Sequence, residues 1–218
     1  MSSKRTFYRK LGKRWLDLAL TVPVFWLLGT LMIVVTLVVR LRLGRPVFFR
    51  QSRPGLHGKA FVLLKFRTMT EDRDKNGDLL PDEKRLPKLG RILRRTSLDE
   101  LPEVFNVLKG DMSLVGPRPL LLQYLQRYTR EQARRHDVRP GITGWAQIHG
   151  RNSAFFSQRL AMDVWYVDHC CLWLDLRILA LTVVKVLREE GVIADQDVSE
   201  IDDCGLWRDE GNCLNGRQ

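Results

Sequence analysis

Asp99 and Glu100 stand side by side in "LRRTSLDELPE", residues 93–103, directly after Arg94 and Arg95. Adjacent carboxylates repel, and at least one pKa rises unless cations or hydrogen bonds offset the cost. Two readings compete. Ser97-x-x-Glu100 is a capping-box pattern, and Asp99 would share the same first helical turn, where the dipole favours anions. The other reading is chemical. Arg94 and Arg95 lie one turn upstream, and Arg118 is held between Pro117 and Pro119. Arginines restrained near a helix N-terminus make a diphosphate cradle. A carboxylate beside bound phosphates calls for a countercharge, which Mg²⁺ supplies by binding carboxylate and phosphate oxygens together. An aspartate so placed serves as metal ligand or as nucleophile toward phosphorus, and its neighbour as a second ligand or a base.

The charge of the chain suits an anionic partner. Its formal net charge is +11, and residues 1–100 carry 22 Lys and Arg against 9 Asp and Glu. Residues 189–218 reverse this, with 2 Arg against 9 acids, and read as an acidic tail. A basic body points to nucleic acid, a membrane surface or a phosphorylated substrate. Cys170, Cys171, Cys204 and Cys213 have no zinc spacing, and the adjacent first pair reads as buried thiols in a reducing compartment.

A second candidate group comes from "PVFFRQSRPGLHGKAFVLLKFRTM", which reads as a hairpin turning at Arg53-Pro54-Gly55 in the Pro-then-Gly order of a type II turn. Alternation puts Val62, Leu64 and Phe66 on one face and Lys65 and Arg67 on the other, the two cations ~7 Å apart. That spacing suits adjacent phosphates; a solvated or headgroup-facing strand side is the plain alternative.

The elements that must hold these groups follow from patterning. Residues 15–39, "WLDLALTVPVFWLLGTLMIVVTLVV", contain Asp17 as their only ionisable residue. At ~1.5 Å per residue they are long enough to cross a ~30 Å hydrocarbon core. Both flanks are basic, with Lys13 and Arg14 before and Arg40, Arg42 and Arg45 after. Basic flanks favour the cytoplasmic side, so a segment entering and leaving on one face satisfies both. Pro23 can break the helix and allow that return, and a single crossing helix with a tolerated proline is the plain alternative. Residues 70–90 read as a polar surface loop, 91–108 as a helix, and 120–137 as a basic helix. Residues 139–152 form a glycine-rich loop, and 154–187 are helical, the apolar stripe Leu176, Leu179, Val183 and Leu187 read as core packing, with a place on the membrane interface beside Trp165 and Trp173 as the alternative.

Taken together, Lys13-Arg14-x-x-Asp17 before a proline-containing apolar segment, then "KFRTM", "SLDELPEVFNVLKGDMSLVGPRP" and "RPGITGWAQIHGRN", resemble the bacterial sugar transferase family. The closer likeness is to its small monotopic phosphoglycosyl transferases, without a multi-span N-terminal extension. The resemblance runs from about residue 9 to 190. It implies a predominantly helical α+β fold with a re-entrant membrane hairpin in residues 1–40, a cytosolic catalytic domain in 41–190 and the acidic tail in 191–218. It implies transfer of a sugar phosphate from a UDP-sugar to polyprenyl (undecaprenyl) phosphate, with release of UMP, at the cytosolic face of a bacterial inner membrane.

On that likeness Asp99 is the nucleophile that forms a phosphosugar intermediate, with direct in-line transfer as the rival route. Glu100 supports it, and Asp99 and Glu100 hold Mg²⁺. Lys65, Arg67, Arg94 and Arg118 line the anionic site. Asp163 in "DVWY" matches a family position without an assigned role, and Gln147 and Arg151 are supporting candidates in the glycine-rich loop. The family's usual Ser-Pro at the membrane break is Val22-Pro23 here. The implied partners are the two substrates and inner-leaflet lipid, not nucleic acid, and a homo-oligomer is compatible with the sequence. A basic membrane-anchored protein that binds nucleic acid or anionic lipid would share the charge, but it leaves the acid pair and the proline-locked Arg118 unexplained. A glycosidase is a poorer fit, because its two carboxylates must flank one bond at ~5 to 10 Å.

Overall fold

In the computed structural model, which describes residues 8–149 and 156–188, the apolar segment is one helix, α1 (Lys13–Leu43), 31 residues long. The helix runs on through Pro23, although that residue donates no backbone hydrogen bond, so the expected end of the helix is not found there. One stripe of α1 faces protein. Lys13, Asp17 and Thr21 are buried from its first half, and Met32, Val35 and Val39 from its second. The other faces are bare: Trp26 is 81% and Leu41 82% exposed. An apolar surface of that extent marks a face that meets something other than water.

After α1 come β1 (Phe48–Pro54) and β2 (Ala60–Phe66), paired antiparallel with Phe49 opposite Lys65 and Gln51 opposite Leu63. The expected hairpin is present, but its turn lies further on. Gly55 has φ −103°, and the reversal is made by Leu56–Gly58, with His57 at φ 54° and Gly58 at φ 73°. The Phe61 and Leu63 face of β2 is buried, whereas on the other face Val62 is half exposed and only Phe66 is buried. Phe61 and Leu63 pack with Val107 and Met112, while Phe66 packs with Met32, Val35, Val39 and Leu93. Lys65 therefore lies on the protein-facing side with Leu63 rather than on a solvated strand side.

The stretch expected to be one helix over 91–108 is divided. Helix α2 (Lys88–Arg95) ends, Leu98–Glu100 forms a single 3-10 turn, and α3 (Glu103–Lys109) follows Pro102. Gly110 closes α3 at φ 93°, donating to the Asn106 and Val107 carbonyls in the left-handed conformation that favours glycine. Arg14 of α1 reaches the same helix end, its guanidinium donating to Val107 O at 2.5 Å and Leu108 O at 2.7 Å. A cation there satisfies carbonyls that the helix leaves over.

Strands β3 (Ser113–Val115) and β4 (Gly141–Thr143) pair in parallel and join the two glycine-containing loops. A Cβ on Gly141 would lie 2.0 Å from Gly116 N, so no larger residue allows this approach. The expected basic helix over 120–137 is three short pieces: Leu122–Gln126, a turn at Arg130–Ala133 capped by Thr129 and Gln132, and the 3-10 turn Arg134–Asp137. Helices α4 (Trp145–His149), α5 (Phe156–His169) and α6 (Leu172–Leu187) complete the described chain. On α6 the buried apolar residues are Leu174 and Ile178, in a core with Val115, Val138, Tyr166 and Val167. Leu176 and Val183 of the expected core stripe face outward, at 38% and 59% exposure.

The predominantly helical α+β expectation holds among the described residues. The start of α1 is bonded into this body by a buried network. Lys13 Nζ lies 2.5 Å from Asp175 Oδ2 and 2.9 Å from the Tyr166 hydroxyl, which itself donates to Asp175 Oδ1 at 2.6 Å. Asp17 accepts from Ser113 Oγ at 2.9 Å and Leu114 N at 3.0 Å. The second half of α1 packs on β2 and α2 through the Phe66 cluster. Both halves of the apolar helix thus rest on the same body.

Candidate active site

The capping-box reading of the acid pair fails on geometry. Ser97 has φ 55° and ψ 18°, a left-handed conformation, and its side chain caps nothing. Asp99 and Glu100 instead share one 3-10 turn between a left-handed serine and a proline, too short to carry a helix dipole.

The two neighbours have opposite surroundings. Glu100 Oε1 accepts from Lys65 Nζ at 3.0 Å and from Arg118 Nη2 at 2.8 Å. Burial would push this carboxyl up, but the charges of Arg118 and Lys65 overcome it and hold Glu100 well below the usual range. Asp99 is 9% exposed and makes no hydrogen bond or ion pair with any described residue. Burial, then the charge of Glu100, raises it to about 6 against the pull of Lys65, Arg118 and Arg94. It is therefore ionised at neutral pH, buried, unbonded among the described residues and within the field of three cations.

The sequence reading missed a third carboxyl. Glu103, the first residue of α3, is 3% exposed and lies 3.5 Å from Lys65 Nζ. Burial and the charge of Glu100 raise it. Its spacing of three from Glu100 was the available signal, because residues three apart across a turn meet on one side. Asn106, also missed, lies one turn further along α3. Its Oδ1 accepts from Leu64 N at 3.1 Å and its Nδ2 donates to Val62 O at 2.7 Å, which closes the edge of β2 opposite β1. That double bond fixes the strand segment bearing Lys65.

Arg94, in the last turn of α2, is placed by its Nε bond to Thr68 Oγ1 at 3.0 Å. Arg67 goes elsewhere. Its guanidinium donates to Leu43 O and, at 3.2 Å, to Arg45 O, closing the C-terminal end of α1. It lines a hollow with residues 46–50 and Glu71, so Lys65 and Arg67 do not form the adjacent cationic pair expected from alternation. Beyond Phe66 the strand has ended, and the period-two rule no longer applies. Asp163 faces Arg135 (Oδ2 to Nη2, 2.7 Å) rather than the acid pair. Gln147 turns its amide to Ile142 O at 2.9 Å, tying α4 to β4. Arg151 and residues 191–218 lie outside the described residues.

The donor set fits a metal in one way. Glu100 Oε1 is committed to two cations, whereas the Asp99 carboxylate is available. Mg²⁺ commonly takes one or two carboxylates and completes its shell with phosphate oxygens and water. Among the described residues no cluster of three or more acidic, histidine or cysteine side chains could form an all-protein cage. The site therefore suits a metal that arrives with a phosphorylated ligand.

Comparison with known proteins places the chain in a family. The bacterial sugar transferase family profile matches residues 8–189. The uncharacterized sugar transferase EpsL of Bacillus subtilis (strain 168) is 58% identical over 180 residues, 83% of this chain and 89% of that one. A UDP-glucose:undecaprenyl-phosphate glucose-1-phosphate transferase of Xanthomonas campestris pv. campestris is 39% identical over 197 residues, 85% of this chain and 41% of that one. An undecaprenyl-phosphate galactose phosphotransferase of Salmonella typhimurium (strain LT2) is 38% identical over 196 residues, 82% of this chain and 41% of that one. This chain spans most of EpsL and about two fifths of the two longer relatives. The matched span takes in the helix that is long and apolar enough to cross a membrane, the acid pair and the Pro117-Arg118-Pro119 turn: the chain belongs to the bacterial sugar transferase family.

Proposed function

We propose that the protein moves a sugar phosphate from a UDP-sugar to polyprenyl phosphate and releases UMP, the step that places a first sugar on a lipid carrier for glycan assembly. The observation that carries the reading is the contrast within the pair: Glu100 is saturated by Lys65 and Arg118, while Asp99 is buried, unbonded and raised to about 6. Relatives named as UDP-glucose and galactose undecaprenyl-phosphate transferases support the reaction class.

In this mechanism an Asp99 oxygen attacks the sugar-bearing phosphorus of the donor. An acyl phosphate bond forms, and the bond from that phosphorus to the bridging oxygen breaks. UMP leaves with the bridging electron pair. A phosphate oxygen of the polyprenyl acceptor then attacks the same phosphorus and returns Asp99 as free carboxylate. Lys65, Arg94 and Arg118 offset the diphosphate charge; Lys65 and Arg118 are held by Glu100, and Arg94 by Thr68. Mg²⁺ held between Asp99 and the diphosphate would supply further charge neutralisation. Desolvation makes the Asp99 carboxylate a stronger nucleophile than a hydrated one, while its value near 6 keeps it ionised at neutral pH.

The bilayer arrangement belongs to the same proposal. α1 lies with both halves against one body and basic residues at both ends, which favours shallow insertion from the cytosolic face over a crossing. One phosphate pocket at headgroup level then serves a soluble donor and a tethered acceptor in turn.

The test is intact-protein mass after incubation with UDP-sugars and Mg²⁺, without acceptor. A sugar-phosphate increment absent from Asp99→Asn is expected, and it names the donor. UMP release that needs acceptor, with no increment at any time, would replace the covalent route by direct transfer. No UMP under either condition would refute the reaction.

A further inference from the structure

Asp163 matched a family motif without a role, and it touches no member of the acid cluster. Its partner is Arg135, 2% exposed and one of the largest fully buried side chains. Asp163 Oδ2 accepts from Arg135 Nε at 3.1 Å and Nη2 at 2.7 Å, and Arg135 Nη1 donates to the Tyr128 hydroxyl at 3.0 Å. Arg135 Nη2 also donates to the backbone carbonyl of Arg118 at 2.7 Å. That carbonyl is the middle one of three. Pro117 O accepts from Gly141 N at 3.0 Å, and Pro119 O from Arg53 Nη1 at 3.4 Å. Three consecutive carbonyls of the Pro-Arg-Pro turn are thus held by three separate segments, while the Arg118 side chain reaches Glu100 at 2.8 Å.

We propose that the buried Arg135–Asp163 pair is a positioning strut for Arg118: it locks the turn so that the guanidinium meets Glu100 and the donor diphosphate. Stability alone gives a weak reason for the pair. Two charges removed from water lose hydration that their attraction only partly returns, and apolar pairs of similar volume often replace them without loss. The two prolines fix φ on either side of Arg118 and confine Arg118 itself to extended conformations, but they leave the orientation of its peptide plane to be set by a donor. Arg135 supplies that donor. Asp163 in turn holds Arg135, with the charge of Arg159 as a further influence on the carboxyl.

The inference rests on the transferase reading, and its test separates the two. The measurement is a double-mutant cycle on kcat/KM for UMP release in detergent-solubilised full-length protein, with melting temperature recorded for each variant. Asp163→Asn is expected to lower kcat/KM by ~10- to 100-fold, the scale of an ångström-sized misplacement of a positioning group. In an Arg118→Ala background the same change should cost less than ~3-fold, because residues acting as one unit are not additive. Equal losses in both backgrounds would overturn the strut, since a purely structural defect acts whatever residue occupies position 118. Where Asp163→Asn folds poorly, the volume-conserving pair Arg135→Met with Asp163→Leu should keep the wild-type melting temperature yet lose the same activity. Wild-type kcat/KM in that pair would equally refute the proposal. If the wild type turns over no donor, the transferase reading falls by itself. The strut is then decided by a crystal structure of Asp163→Asn: Arg118 Nη2 displaced beyond bonding distance of Glu100 supports it, and an unmoved Arg118 overturns it.

Discussion

Replacing Asp99 by Asn should abolish turnover and, at the same time, make the protein more stable at neutral pH. The sign follows from linkage. The folded pKa of Asp99, about 6, lies above the ordinary value of 3.8. An acid raised on folding contributes stability at low pH and loses it as pH rises through the folded pKa. Over that interval the folded state gives up about 2 units of proton affinity, a cost on the order of 3 kcal/mol at ~1.4 kcal/mol per unit. Asparagine keeps the shape and never ionises. Asp99→Asn should therefore gain up to about 3 kcal/mol above pH 6, a rise on the order of 6–12 °C in melting temperature for a chain of this length. Below pH ~4 the wild-type side chain is protonated both folded and unfolded, so the gain should vanish there. The assay is thermal unfolding of both proteins in lipid nanodiscs across that pH range. An Asn variant equally stable or weaker at neutral pH, or one whose advantage ignores pH, would refute the argument that Asp99 is held in an unfavourable charged state. The same titration predicts an acid limb in wild-type kcat/KM, falling tenfold per pH unit below about 6 as the nucleophile is protonated.

Three other perturbations separate the parts of the cluster. Glu100→Gln leaves Lys65 and Arg118 near one another without their shared anion; turnover should fall by at least ~10²-fold, and the melting temperature should drop rather than rise, opposite to Asp99→Asn. Glu103→Gln mimics the protonated acid that burial favours, so its stability relative to wild type should increase as pH rises from about 5 to about 9, which denaturation at both ends of that range measures. Asn106→Ala strips two partners from the outer edge of β2 and should cost roughly 2–4 kcal/mol in urea unfolding, with Asn106→Asp restoring only the bond from Leu64 N.

What could be read from the chain, and what could not, follows the range of each interaction. α1 was visible because 25 residues with one ionisable group have few other destinations, and β1 and β2 because strand formers flank a turn. Asp99, Glu100 and Arg118 stood out as candidates because motif and charge coincide within twenty residues, and the structure brings Arg118 onto Glu100. The errors arose where a local pattern imitated a feature that tertiary structure cancels. Ser97-x-x-Glu100 has the letters of a capping box, but Ser97 is left-handed. Residues 120–137 are basic and helical in composition, yet the segment breaks so that Arg135 can turn inward. On α6 the leucine and valine spacing was correctly helical, but Leu179 packs on the core while Leu176 and Val183 face outward, since periodicity defines a stripe without saying what covers it. Glu103, Asn106 and Arg135 were missed because their partners are far away in the chain: Lys65 for Glu103, Val62 and Leu64 for Asn106, Arg118 and Asp163 for Arg135.

The division of labour within the acid pair follows from where the cations end. Glu100 and Asp99 are neighbours in one 3-10 turn and burial pushes both carboxyls up, yet of the two only Glu100 is bonded by Lys65 and Arg118. Each convergence has a distant cause. Lys65 arrives because Asn106 fixes β2, and Arg118 because its turn is bonded on three carbonyls. A carboxylate with two such partners is too strongly stabilised to attack phosphorus. Its neighbour feels the same cations without bonding to them, and so retains the reactivity that bonding would remove. In the proposed mechanism Glu100 is the counterion that allows two cations to be held in place, and Asp99 attacks because Glu100 has taken the partners that would have quenched it.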